Sequence, residues 1–262
     1  MIEFFRLANV FLRIGAMNEM AYRANFWIQT FESLLSMATA LATIAIVFNQ
    51  TDSLGGWQRA ELISLLGVYF LVLGTINLVV SPSLGRFMEE VVDGRLDFTL
   101  TKPADAQLLV SISEFRIWKI LDVILGLIVL SMGLLTKAEA TSFASALVFG
   151  ITLLAAGAIV YSFWIILATL AFWFIRIENI TMIFWSMYTA GRWPVTIYPP
   201  WLKWILTLLV PVAFAVTVPA QALSGRLTFN TLMSAVLLAV ALVFISRWFW
   251  KLGVKSYSGA SA

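Results

Sequence analysis

The chain has 262 residues, of which 61% are hydrophobic and 12% charged, with a net charge of +3. Soluble domains carry about a quarter charged residues, so a water-soluble globule is excluded and a polytopic membrane protein is expected. The chain holds no cysteine and no histidine, which excludes disulfides, thiol nucleophiles, zinc sites built on those residues and His-based triads.

Residues 1–24 read as an interfacial helix. Phe4, Leu7, Phe11 and Ile14 share one side, and Glu3, Arg6, Asn9 and Arg13 the other. Such a helix lies along the membrane surface with its basic groups toward headgroups. Acidic residues within it argue against a targeting peptide, and no cleavable signal is expected.

Residues 25–262 are expected to form one membrane domain. Apolar runs predict spans at about 25–48, 60–80, 107–135, 144–175, 179–197 and 229–249. Residues 200–220 are interrupted by Pro211 and Pro219 and read as a re-entrant helical hairpin. Backbone breaks helix at membrane depth only where protein or a wet cavity covers it. The alternative, a seventh span, puts the basic C-terminus on the other side.

Lys and Arg decide the orientation. With six spans and both termini inside, twelve lie inside, among them Arg86, Arg95, Lys102, Arg116, Arg247 and Lys251. Five lie outside: Arg59, Lys137, Arg192, Lys203 and Arg226. The positive-inside rule favours that arrangement. Trp193, Trp201 and Trp204 then mark the outer boundary, and Trp248 and Trp250 the inner one.

Between spans two and three lies a polar stretch, residues 82–106. Leu84, Phe87, Met88, Val91 and Val92 follow the spacing of one helix face, with Arg86, Glu89, Glu90 and Asp93 opposite. Gly94 is placed to stop that helix. Residues 95–100 then alternate polar and apolar, which predicts an extended strap. Lys102-Pro103 breaks the strap, and Asp105 is placed to cap the next helix.

No G-x-x-x-x-G-K-[ST] phosphate loop occurs, so the chain is expected not to be an ATPase itself. Glu32 and Asp122 fall within apolar runs. Intramembrane acids are functional candidates by default, but Lys119 lies one turn before Asp122 and Glu32 lies near a span end, so structural roles are preferred. Asn77 reads as an interhelical hydrogen-bonding group. Tyr69, Phe70, Asn77, Phe184, Trp185 and Tyr188 are candidates for lining a substrate path, against ordinary core packing.

This pattern resembles the membrane subunits of ABC-2 type exporters, and within them a bacterial branch of separately encoded six-span permeases. Two motifs carry the resemblance. One is Gly94-Arg95-Leu96-Asp97-Phe98-Thr99-Leu100-Thr101-Lys102-Pro103. The other is the proline-bearing outer segment with Tyr198-Pro199, Pro211-Val212-Ala213-Phe214 and Pro219-Ala220. The resemblance implies an all-α fold, a second permease chain (a copy or a sibling) and cytoplasmic ABC ATPase subunits that hold the ATP and magnesium. No cofactor or metal on this chain and no nucleic-acid partner is implied. Residues 82–106 look like the coupling segment, with Arg86, Glu89, Glu90, Asp93, Gly94, Arg95, Asp97, Lys102 and Pro103 facing the ATPase. The implied location is the bacterial plasma (inner) membrane. The competing readings are a non-transporting membrane scaffold and, less favoured, a secondary transporter, which would show buried coupling acids and broken helices in both halves.

Overall fold

In the computed structural model, residues 10–13, 15, 17, 23–137, 142–174 and 178–257 are described. Among them every regular element is helical. Helix α1 is Arg23–Phe48. After the polar 49–58 loop comes α2, Arg59–Thr75, whose first turn is closed when the Glu61 carboxylate accepts the Gln58 backbone N–H at 2.8 Å. A π turn, Ile76–Val80, leads into α3, Ser81–Val92. There is no break between them: Arg59–Val92 is one helix of 34 residues.

Pro82 explains how that continuity is held. It has no N–H to return to Leu78, four residues back. The Leu78 carbonyl accepts the N–H of Arg116 instead, at 2.9 Å. Gly94, with φ +70°, ends α3, and the Arg95 and Leu96 N–H groups fold back on the Glu90 carbonyl at 2.8 and 3.1 Å. Next come α4, Asp97–Leu100, and α5, Ala106–Ser111, where Asp105 caps by accepting the Leu108 N–H. Residues Ile112–Arg116 are irregular. A 3-10 turn, Ile117–Lys119, opens α6, Ile120–Thr136.

Helix α7 is Phe143–Thr169, prolonged by a 3-10 turn to Phe172. Helix α8, Glu178–Tyr188, passes into a 3-10 turn ending at Arg192. Helix α9, Pro200–Trp204, continues as a π turn to Leu209, and a second π turn, Ala213–Thr217, opens α10, Val218–Ser224. The two halves meet at 81°. Helix α11 is Phe229–Ser256.

The closest packing is α2 against α6, and glycine makes it possible. A Cβ on Gly67 would lie 2.3 Å from the Leu130 backbone nitrogen, and one on Gly126 2.5 Å from that of Leu71. Gly74 and Gly133, one heptad further on, meet Val123 and Ser64 in the same way. Small residues bring backbones together where lipid supplies no hydrophobic drive between helices. Helices α10 and α11 pack on α7.

The all-α membrane architecture agrees with the sequence, but five details are corrected. Five helices are long and apolar enough to span: Ala24–Phe48, Arg59–Val92, Ile117–Thr136, Phe143–Phe172 and Phe229–Ser256. The sixth candidate is the bent pair Pro200–Leu209 and Ala213–Ser224. The expected span at 179–197 is not one continuous helix: α8 stops at Tyr188 and 3-10 turns carry the chain past Pro194 to Thr196, whose hydroxyl accepts from the Trp57 indole in the 49–58 loop, so these residues run from the Phe172 end of the bundle to the opposite end. The third span begins at Ile117 rather than 107, because Ile112–Arg116 leave the helix to clamp α3. Residues 95–100 are a helical turn, not an extended strap: Leu96 is fully buried while Phe98 is 75% exposed, so they do not share a face. Val92, expected on the packed face of α3, is 54% exposed.

The fifth correction concerns Trp250. It is a core residue, 4% exposed, whose ring lies 5.0 Å from Phe87 and 5.9 Å from Phe172. Trp248 points outward, at 62% exposure. Most of the expected interfacial helix 1–24, and Arg176, lie outside the described residues. Of that helix, Phe11 borders Arg86 and Phe98, and Gly15 lies against the Phe115 carbonyl.

Candidate functional site: the α3 tip and the aromatic column

The end of the 34-residue helix is exposed and charged. Arg86, Glu89, Asp93, Arg95, Lys102 and Pro103 are exposed, and Glu90, Gly94 and Asp97 are half-buried. Part of that charge is used locally. Arg86 Nε donates to Glu90 Oε1 at 3.0 Å, and Arg95 Nη2 to Asp93 Oδ2 at 2.7 Å. Glu90 also accepts from Thr99. Glu90 therefore braces α3 against α4. Among the described residues Glu89 and Lys102 have no ion-pair partner.

Behind this tip, α3 is clamped to the 112–116 segment. Ser83 is fully buried. Its hydroxyl donates to the Glu114 carbonyl at 2.8 Å and accepts the Glu114 N–H at 3.1 Å. With the Arg116 to Leu78 bond, this fixes the helix to the start of the next span at two levels. A third tie comes from α11. Arg247 Nη1 donates to Asp105 Oδ1 at 2.9 Å and to Gln107 Oε1 at 2.7 Å, and Nη2 bonds Asp105 Oδ2. The Arg247 hydrogen bond holds the Asp105 carboxyl below its ordinary pKa, against a smaller opposing effect of burial.

The candidate path residues are brought together in part. Tyr69 stacks on Tyr188 at 5.3 Å, Tyr188 on Phe184 at 5.7 Å, and Phe184 meets Trp164 edge-on at 4.9 Å. Phe70 and Trp185 flank the column at 5.4 and 5.5 Å from Tyr69 and Trp164. Asn77 does not belong to it: it sits half-buried in the π turn and makes no side-chain hydrogen bond among the described residues. The column is packed shut. Two of its polar atoms, Tyr188 Oη and Trp164 Nε1, are buried without a partner among the described residues. Trp164 and Trp185 also line a groove of about 510 Å³ beside α3, together with Glu89, Asp93, Glu114 and Arg116.

Two residues were missed from the sequence. Glu61 sits in the first turn of α2, where nothing in the local sequence marks it. It is buried and forms a two-pronged pair with Arg226, Nε to Oε1 at 2.9 Å and Nη2 to Oε2 at 2.8 Å, with Arg226 5.3 Å over the Trp57 ring. The bond from Lys137 Nζ to the Leu223 carbonyl at 3.2 Å closes the same end. Arg192 looked like an outer-loop cation. Its Nη2 instead donates to Ser36 Oγ at 3.2 Å, and its Cζ lies 5.6 Å from the Tyr69 ring centre. The expected Lys119–Asp122 pair is present, at 3.1 Å.

A bundle of long apolar helices, one of them running unbroken into a charged exposed tip, defines the class: a multi-pass membrane protein. The sequence model of a family described as ABC-2 family transporter protein matches residues 34–261. The chain belongs to that family. No curated protein matches it.

Proposed function

We propose that this chain is the membrane-spanning permease subunit of an ATP-driven exporter in a bacterial plasma membrane. It works as a pair, with a copy of itself or a sibling permease, and each chain docks a separate cytoplasmic ABC ATPase that holds ATP and magnesium. Both termini and the α3 tip face the cytoplasm. Residues 82–106 form the docking segment.

The observation that carries this reading is the continuity of Arg59–Val92. A helix that crosses the membrane and ends in exposed Glu89, with nothing but a π turn between, transmits displacement of its tip into the bundle. The clamps at Ser83 and Leu78 pass the same displacement to α6. The bent pair supports a re-entrant reading of 200–220. Thr196 bonds Trp57 at the 49–58 end, Val212 and Val216 approach Gly191 beside Tyr69, and Leu223 is again at the first end with Lys137. The chain goes in and comes back.

Charge pairing sets register and partner choice more than raw affinity. Among the described residues the Glu89 side chain has no hydrogen-bond or ion-pair partner and that of Glu90 does, so reversal at Glu89 separates docking from folding. The test is co-purification of the chain with its cytoplasmic partner and reconstitution with the ABC ATPase so identified. The wild-type chain should bind that ATPase and raise its hydrolysis rate. Glu89→Arg should abolish both while leaving the melting temperature unchanged. Undiminished binding and coupling in Glu89→Arg would remove α3 from the docking surface, and a chain that binds no ATPase at all favours the scaffold reading.

A further inference from the structure

Arg192 stands at mid-depth in the bundle with no counter-ion among the described residues. Two rulers place it. Tyr69, beneath its guanidinium, is about 15 Å along α2 from Arg59, and Ser36, its hydrogen-bond partner, is about 18 Å along α1 from Phe48, at 1.5 Å per residue. Charges at that depth are costly and mark binding or conduction paths. Lys119, at the start of α6, is neutralised by Asp122, and Arg226, in the loop after α10, by Glu61. Among the described residues no carboxylate lies within ion-pair distance of Arg192, and its Nε is buried with no partner.

The guanidinium borders a cavity of about 200 Å³, with Thr39, Thr43, Leu66 and Trp193 around it. Thr39 and Thr43 give their hydroxyl protons to carbonyls of α1, at 2.9 and 2.7 Å. Recognition of charge in the cavity therefore falls to Arg192. Thr39 and Thr43 are themselves exposed, so the cavity opens sideways past α1 into the bilayer. On its other side lies Tyr69, the top of the aromatic column that leads to the groove beside α3.

We propose that Arg192 recognises the headgroup of an amphipathic anion, a carboxylate or phosphate carried on an apolar tail. A planar guanidinium suits both headgroups, pairing with two oxygens at once. The lateral opening and the apolar wall suit the tail. The inference deepens the permease reading by naming the class of molecule the path would hold, but binding at Arg192 is measured without the ATPase. Glu32 is the internal competitor. It lies one turn from Ser36 on α1, exposed and unpaired among the described residues, and a shift of α1 would bring it to Arg192.

The experiment uses the purified full chain in phosphatidylcholine nanodiscs, titrated with dodecanoate, dodecyl phosphate, inorganic phosphate and the cation dodecyltrimethylammonium, and read by native mass spectrometry and tryptophan fluorescence. The two anionic amphipaths should bind, and the cation and free phosphate should not. Arg192→Gln should weaken binding at least tenfold, and Arg192→Lys should keep part of it, because a point charge replaces the planar fork. Arg192→Lys also carries the test if Arg192→Gln fails to fold. Displacement by phosphatidylglycerol assigns the site to a lipid, and resistance to it assigns the site to cargo. Equal binding by Arg192→Gln and wild type overturns the proposal. So does loss of binding in Glu32→Gln equal to that in Arg192→Gln, which would make the two charges partners of each other. Glu89→Arg should bind these ligands normally, so failure of ATPase coupling and failure of anion binding are read separately.

Discussion

Replacing Trp250 by alanine tests how the α3 tip is tied to the bundle. The side chain is 4% exposed and joins three elements, lying against Phe87 of α3 and Phe172 at the end of α7. Substitution removes roughly 140 Å³, and at about 24 cal/mol per Å³ of unfilled cavity the loss is about 3 kcal/mol if the neighbours do not collapse. In a bilayer most of that is lost packing rather than lost transfer from water, since lipid is as apolar as the core. Trp248, two residues earlier and 62% exposed, is the control; its replacement should change stability by less than about 0.5 kcal/mol. The assay is reversible denaturant unfolding of both variants in detergent micelles, together with ATPase stimulation in the reconstituted complex. Trp250→Ala should lower both stability and coupling. Equal small effects of the two substitutions would refute the packing argument and return Trp250 to the membrane boundary.

Ser83→Ala leaves the Glu114 N–H and carbonyl without their partner, at about 1–3 kcal/mol, and should speed amide exchange in α3 and residues 112–116 while leaving α7 unchanged. Gly126→Val forces α6 from the Leu71 backbone, which a Cβ would already approach to 2.5 Å; overpacking of this kind costs about 1–3 kcal/mol or more, visible as a lower melting temperature in micelles. The Asp105 pKa is depressed by Arg247, so the contribution of the pair is present above the unfolded value of about 3.9 and is lost as pH falls through the folded one. Both side chains are more than a third, or about a third, exposed, so the pair is worth at most about 1 kcal/mol. Asp105→Asn, which keeps the helix cap, should cost no more than that at pH 7 and nothing at pH 2, as measured by denaturant midpoints across pH.

Local features of residues 82–106 were legible because each acts within one or two turns. The i, i+3, i+4 spacing of Leu84, Phe87 and Met88 made the buried face of α3. Gly94 took the left-handed conformation that a helix end needs, and Asp105 capped α5 through its own side chain. Lys119 and Asp122 met because three residues on a helix set them side by side. The alternation over residues 95–100 misled because six residues suit a strand or a turn equally. The N–H groups of Arg95 and Leu96 found the Glu90 carbonyl, and that closed a turn.

Apolar run lengths, the missing Cys and His, and the positions of glycine, proline and capping side chains defined a helical membrane protein with a polar segment between its second and third spans, and those belong to the sequence. Depth and partnership did not. Trp248 and Trp250 are the same residue two positions apart, and only the approach of Phe87 and Phe172 makes one of them core. Gly191-Arg192-Trp193-Pro194 reads as an outer loop, and only the packing of α8 and the bent pair against Tyr69 and Ser36 draws its guanidinium to mid-depth. Periodicity reports which side of a helix faces protein. Which charges meet, and how far from water, depends on contacts between segments more than a hundred residues apart, such as Arg192 with Ser36 and Arg226 with Glu61.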